Sequence, residues 1–247
     1  MLTTSEFVAV HGFVVLWSMP QLLHRTFFLP GPAGRLEALL WGIPERQDGA
    51  PAVLASVVCH PHPLFGGTMH NKVVYQTAKT LHRFGLPVLR FNFRGAGLSE
   101  GAHDDGRGEQ DDVTVALDFL AAEYPCAPLL LAGFSFGSWV GLRIACKDSR
   151  VTEMIGLGLP VGNLESREFS YLESCGKPKL LVTGEFDQYG PPEKLKAVVE
   201  KFAPHVKERT SVAIIPGADH FFAGHLPELE RSVASWLKAH HPDLTEG

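Results

Sequence analysis

Cysteine is scarce and scattered. Cys59, Cys126, Cys146 and Cys175 lie far apart with no C-x-x-C pair, so the spacing spells out neither a zinc site nor a disulfide framework. They are expected to be reduced thiols in a cytoplasmic protein. Basic clusters are missing as well: 22 Lys and Arg stand against 27 Asp and Glu, a net charge of −5, and no run of cations is available to neutralise phosphates. Neither nucleic acid nor an anionic membrane is an expected partner. No apolar run reaches the eighteen or more residues needed to cross a bilayer. The stretch "FVAVHGFVVLW", residues 7–17, is preceded by Glu6 and by no Lys or Arg, and no small-residue cleavage pattern follows it. It reads as an extra strand or an arm rather than a secretion signal, with Met19 as an alternative start.

Repeats, low-complexity tracts and linkers are absent too. A chain of 247 residues is long enough for one well-buried core. The expected organisation is an N-terminal arm over residues 1–23 followed by a single α/β domain over 24–247.

What is present alternates. "RTFFLPG" and "RLEALLWGIP" read as an antiparallel entry hairpin around a Pro-Gly turn. "AVLASVVCH" is an apolar, β-branched run suited to a strand covered on both faces. Helical spacing follows over residues 71–84, then a strand "PVLRFNF", a Gly-rich loop "RGAGLSEG" and a helix over 110–124. The pattern repeats with strand "PLLLAGF", a helix over 135–147, strands "VTEMIGLGLP" and "KPKLLVTGEFD", helix "PPEKLKAVVEKF", strand "TSVAIIPG" and helix "LPELERSVASWLKAH". Strands alternating with helices imply a mostly parallel sheet with helices on both faces, whose chemistry lies in the loops after the strands.

Three such loops hold a coherent set. "GFSFG", residues 133–137, fits G-x-S-x-G between a strand and a helix. A hydroxyl attacks well only when exposed and paired with a base, and a sharp glycine-flanked turn exposes it. Ser135 is the candidate nucleophile. "GEFDQYG" puts Asp187 after the next-to-last strand and "GADHFF" puts His220 after the last. Each residue alone has a plain structural reading: a strand-helix junction, a turn cap, a packed core histidine. Glu185 and Asp219 compete with Asp187 for the acid, although Asp219 adjoins His220 and would struggle to reach its ring.

"CHPHPLFGGTMHN", residues 59–71, offers two readings. His60, His62 and His70 suggest a metal, but no H-E-x-x-H or carboxylate-rich pattern accompanies them, and none is expected. The other reading is a loop that donates an N–H to a developing oxyanion. Pro61 and Pro63 lack an N–H. His62, Leu64 and Phe65 remain, Leu64 favoured, with Phe136 supplying the second donor as the residue after the serine. "GAGLSEG" resembles a dinucleotide loop only loosely, because its spacing is G-x-G-x-x-x-G and no acidic ribose partner follows.

With these motifs in place the chain resembles the α/β-hydrolase superfamily over nearly all of residues 24–240, and more narrowly the small bacterial dienelactone-hydrolase-related and serine-aminopeptidase-like esterases. The resemblance implies an eight-stranded, mostly parallel α/β-hydrolase fold, a Ser135, Asp187, His220 triad and ester hydrolysis without a cofactor. Dienelactone hydrolases use cysteine where this chain has Ser135. "VGNLESREFSYLESCGK" is too short for a cap domain, so the site should be open and suit small or flexible esters. Phe65, Phe134, Tyr189 and Phe221 are the expected pocket walls, with Phe136 and Phe169 as further candidates. A thioesterase, an amidase or peptidase, an acyltransferase or a non-catalytic binding protein would present the same residues.

Overall fold

The computed structural model describes residues 24–44, 49, 51–163, 168–244 and 246. The expected N-terminal arm, with its apolar stretch and Met19, lies outside the described residues. Eight strands form one open sheet: β1 (His24–Gly31), β2 (Gly34–Trp41), β3 (Ala55–Cys59), β4 (Val88–Phe91), β5 (Leu129–Phe134), β6 (Val151–Leu157), β7 (Lys179–Gly184) and β8 (Thr210–Ile215). Their order is β1-β2-β4-β3-β5-β6-β7-β8. β2 runs antiparallel to β1 and β4, and the remaining pairings are parallel. Among the described residues six α-helices accompany the sheet: α1 (Lys72–Arg83), α2 (Gly108–Glu123), α3 (Phe136–Ala145), α4 (Pro192–Glu200), α5 (Pro204–Lys207) and α6 (Leu226–His240).

Strand β5 shows why the sheet needs two covers. All six of its residues are buried, and alternate side chains go to opposite sides. Leu129 and Leu131 join α2, α3 and α4 through Val113, Leu117, Val140 and Leu195. Leu130, Ala132 and Phe134 join α1 and α6 through Val74, Leu81, Leu229 and Val233. Each fully buried leucine contributes about 2 kcal/mol of apolar burial, so a polar residue anywhere on β5 would be costly.

Helix starts follow from local chemistry. The Asn71 side chain accepts the Val73 N–H at 2.9 Å and caps α1, and prolines open α4 and α6 where the missing N–H costs nothing. Three differences from expectation are informative. β4 ends at Phe91; the Asn92 N–H still donates to the Glu37 carbonyl in register with β2, while the Asn92 side chain bridges the Met69 N–H and the Glu37 carboxylate. Ser135 stands outside α3 as its N-cap residue. α5, four residues long with only Val206 buried, falls where no helix was expected. Between β6 and β7 the described residues form two single 3₁₀ turns, Val161–Asn163 and Ser170–Leu172, and among the described residues no cap domain covers the sheet edge. Among the described residues, no helix is long and apolar enough to cross a membrane.

Candidate active site

The carboxyl ends of β5, β7 and β8 bring together three side chains far apart in sequence. Ser135 follows β5 directly with φ 54° and ψ −117°, a backbone state that costs on the order of 1–3 kcal/mol for a residue with a Cβ. Bonds around it hold the turn: its N–H donates to the Leu157 carbonyl at 2.8 Å, and its carbonyl accepts the Ser138 N–H at 3.0 Å and the Ser138 hydroxyl at 2.6 Å. The turn closes because position 137 is glycine. A Cβ there would lie 2.6 Å from the Cys59 carbonyl oxygen and closer still to that of His60.

His220 sits between the other two. Its Nε2 is 2.9 Å from Ser135 Oγ, and its Nδ1 is 2.9 Å from both Asp187 carboxylate oxygens. A proton on Nδ1 facing the carboxylate leaves Nε2 as the acceptor toward the serine. Asp187 is itself fixed: Oδ1 accepts the Tyr189 and Gly190 N–H groups at 2.9 and 2.7 Å, and Oδ2 accepts the Thr183 hydroxyl at 3.3 Å. Both Asp187 and His220 are buried, and rings of Phe134, Tyr189 and Phe221 surround the imidazole at centroid distances of 5.2, 4.7 and 5.3 Å.

The competing acids are engaged elsewhere. Glu185 accepts the Gly217 N–H at 2.8 Å, and Asp219 accepts those of Phe221 and Ala223 at 3.0 Å. The histidine loop does not gather a metal set either. His60 is fully buried, its Nδ1 2.6 Å from the Pro61 carbonyl and its Nε2 accepting the Phe93 N–H at 2.9 Å. Burial pushes its pKa down to about 4, so the ring is neutral and holds two loops together. His62 instead stacks near Phe65, Phe136 and His103, and His70 is exposed. Among the described residues no three His, Cys, Asp or Glu side chains are grouped to hold a metal ion.

In the same loop Pro63–Phe65 forms one 3₁₀ turn, and the Leu64 N–H points 3.3 Å to His62 Nδ1 while that of Phe65 bonds the His62 carbonyl at 3.1 Å. The Leu64 donor is thus held by a long, weak bond. Phe136 N–H opens α3, where no preceding turn supplies a carbonyl and the helix dipole favours negative charge.

Of the expected pocket walls, Phe65, Tyr189 and Phe221 are exposed around the site, whereas Phe134 is fully buried. Phe134 is corrected from a pocket residue to a core residue: it is the last position of β5 on the α1/α6 side, packed against His220 and Phe222. Phe136 and Phe169 are buried too. Sequence reasoning missed Leu98 and Phe186, both more than 60% exposed on loops at the same sheet edge. It also missed Gly158 (φ 52°), where a Cβ would press within 3.0 Å of His220 Cε1. Thr183, four residues before Asp187, was legible only as a strand residue.

The model of the alpha/beta hydrolase domain family matches residues 60–237. The chain belongs to the α/β-hydrolase superfamily. An uncharacterized protein of Rickettsia prowazekii (strain Madrid E) is 33% identical over 238 residues, covering 92% of this chain and 95% of that one. An alpha-beta serine hydrolase homologue from Coxiella burnetii is similar in structure, with TM-score 0.76 and 36% identity over 85% of this chain and 96% of that one. A serine hydrolase without lid from Xanthomonas campestris gives TM-score 0.77 and 30% identity, covering 90% and 96%.

Proposed function

We propose that this α/β hydrolase is a serine esterase that cleaves small or flexible carboxylic esters through an acyl-enzyme. The observation that carries the reading is the imidazole of His220, hydrogen-bonded at once to Ser135 Oγ and to the Asp187 carboxylate. Ser135 attacks the ester carbonyl while His220 Nε2 takes its proton. Asp187 holds the ring and stabilises the imidazolium, and His220 then protonates the leaving alcohol. Water repeats the sequence on the acyl-enzyme. The oxyanion is held by the Phe136 N–H and by Leu64, whose N–H exchanges His62 Nδ1 for the substrate oxygen. No cofactor enters this scheme.

The substrate class follows from the surroundings of the serine. Among the described residues, Leu64, Phe65, Leu98, Phe186, Tyr189 and Phe221 are six of the ten exposed large apolar side chains, and all six sit on loops at the carboxyl edge of the sheet. Exposed apolar groups so concentrated mark a binding surface, here for uncharged acyl and alcohol groups. The similarity to a serine hydrolase homologue from Coxiella and a serine hydrolase from Xanthomonas supports the serine hydrolase part of this reading.

The test is hydrolysis of p-nitrophenyl esters, acetate to decanoate, by the wild type and Ser135→Ala, with fluorophosphonate labelling in parallel. Expected are a loss of kcat on the order of 10⁶-fold and loss of the label. Equal rates in both proteins, or a wild type that neither turns over nor labels, would sink the serine mechanism. Labelling without ester turnover would move the assignment to thioesters or amides.

A further inference from the structure

A second histidine–carboxylate pair lies beside the Ser135 turn. The segment between β4 and α2 runs past the start of α3, where a Cβ at Gly106 would meet the Trp139 ring. It carries His103, whose Nδ1 lies 2.7 Å from Glu109 Oε1, a close contact out of line for a regular hydrogen bond. Both side chains are withdrawn from solvent, His103 at 6% and Glu109 at 0% exposure. The Glu109 carboxylate also accepts the Asp104 N–H at 3.0 Å and the Gly106 N–H at 2.9 Å. Among the described residues His103 is its one ion-pair partner, since Arg94 pairs with Asp112. A carboxylate buried this deeply is costly unless such partners compensate it. Glu109 thereby fixes the backbone of the segment and the ring of His103 together.

That ring touches both elements assigned to the oxyanion. Its centroid is 4.7 Å from that of His62, in the loop after β3, and 5.4 Å from that of Phe136, the first residue of α3. The His62 and Phe136 centroids are themselves 4.9 Å apart, so the three rings close a triangle. Phe93 and Trp139 back Phe136 at 5.6 and 5.7 Å, and Phe65 stands 4.7 Å from His62. Within the triangle only His103 comes from a third loop, and Glu109 anchors it there.

We propose that His103, held by Glu109, is a positioning residue of the oxyanion hole: its ring sets the spacing between the His62 loop and the start of α3, so that an N–H from each converges on one oxygen. His103 itself touches no reacting atom. This role presupposes the serine-esterase reading above and is the same whether the loop donor is His62, Leu64 or Phe65, because all three belong to the turn that His62 caps. Donors act only where they are aimed, and a shift of about 1 Å in such an arrangement can cost about 10²-fold in rate.

The experiment compares the full-length wild type with His103→Asn on a p-nitrophenyl ester and its thionoester, with urea unfolding in parallel. Sulfur is larger than oxygen and a poorer acceptor, so an oxyanion hole prefers the oxygen ester, and a displaced donor weakens that preference. Asparagine keeps an N–H for Glu109 and removes the ring. Expected are a kcat on the oxygen ester about 10²-fold lower, little change in KM, and a smaller preference over the thionoester. His103→Phe restores a ring and should recover most of kcat while losing stability, because Glu109 then lacks its partner. A kcat near the wild-type value in His103→Asn overturns the proposal, as does an equal fall on both esters, which a merely structural role would give. Should His103→Asn fail to fold, Glu109→Gln is read the same way, and an unchanged ester preference overturns the proposal. If the wild type labels with a fluorophosphonate but spares the ester, labelling rates replace kcat, since the phosphoryl oxygen enters the same hole. A wild type that neither labels nor cleaves removes the serine mechanism itself, and this role with it.

Discussion

Both carboxylate oxygens of Asp187 lie 2.9 Å from Nδ1 of His220, while the Asp187 carboxylate also accepts two backbone N–H groups and one hydroxyl. The acid is thus pinned from behind by its own loop, and its negative charge faces the ring. Asp187→Asn keeps the shape and removes that charge, and an amide NH₂ turned toward Nδ1 favours the wrong tautomer. The expected result is a kcat about 10⁴-fold lower with KM changed little, read from steady-state ester kinetics. A drop of less than about tenfold would mean that the carboxylate does not serve the histidine.

Gly137 supports a second prediction because its role is steric. In Gly137→Ala the new methyl would meet the backbone carbonyls of Cys59 and His60, which cannot rotate away as a side chain would. The elbow has to open, at an expected cost of about 3 kcal/mol or more. Urea unfolding at neutral pH measures this, and Gly141→Ala is the comparison: there the nearest atom is a Leu131 side-chain methyl, free to give way.

The sequence was legible where local chemistry decides the outcome. The expected last helix coincides with α6, Leu226–His240, because a proline near its start and a continuous apolar stripe both point to it. A mostly parallel sheet covered on both faces followed from the alternation of strands and helices, and the eight-stranded architecture from the family resemblance. What escaped was the facing of residues on strands buried from both sides. Phe134 looked like a pocket wall because every neighbour on β5 is apolar, so no polar alternation marks which side faces the site. Gly158 escaped for a related reason, since it acts on His220, which only the sheet brings close; Thr183 lies four residues before Asp187 but reads as one more buried strand position without a signature of its own.

Burial of His60 makes stability depend on pH. Its ring is held neutral, with the pKa pushed from the usual 6.5 to about 4, mainly by desolvation. Between those values the unfolded chain binds a proton that the folded chain refuses, so stability falls as pH drops from about 6.5 to about 4 and levels off below. The full effect is about 3 kcal/mol. Unfolding free energies across this window should show that loss in the wild type and a smaller one in His60→Gln, since glutamine does not titrate. Identical slopes in the two proteins would place the proton elsewhere.

The remaining question is which N–H joins Phe136 in holding the oxyanion, and Leu64 can be tested atom by atom. Its N–H is now directed to His62 Nδ1 at 3.3 Å, longer than an ordinary N–H hydrogen bond, so little is lost when a stronger, charged acceptor draws it away. Replacing leucine with its α-hydroxy acid converts that one amide to an ester and deletes the donor while keeping the side chain. If Leu64 serves the oxyanion, kcat falls about 10²- to 10³-fold, with little change in stability because the bond removed is weak. An unchanged kcat would move the donor to His62 or Phe65. Of these, Phe65 would first have to break its own bond to the His62 carbonyl, so the same replacement at position 65 should cost stability as well as rate.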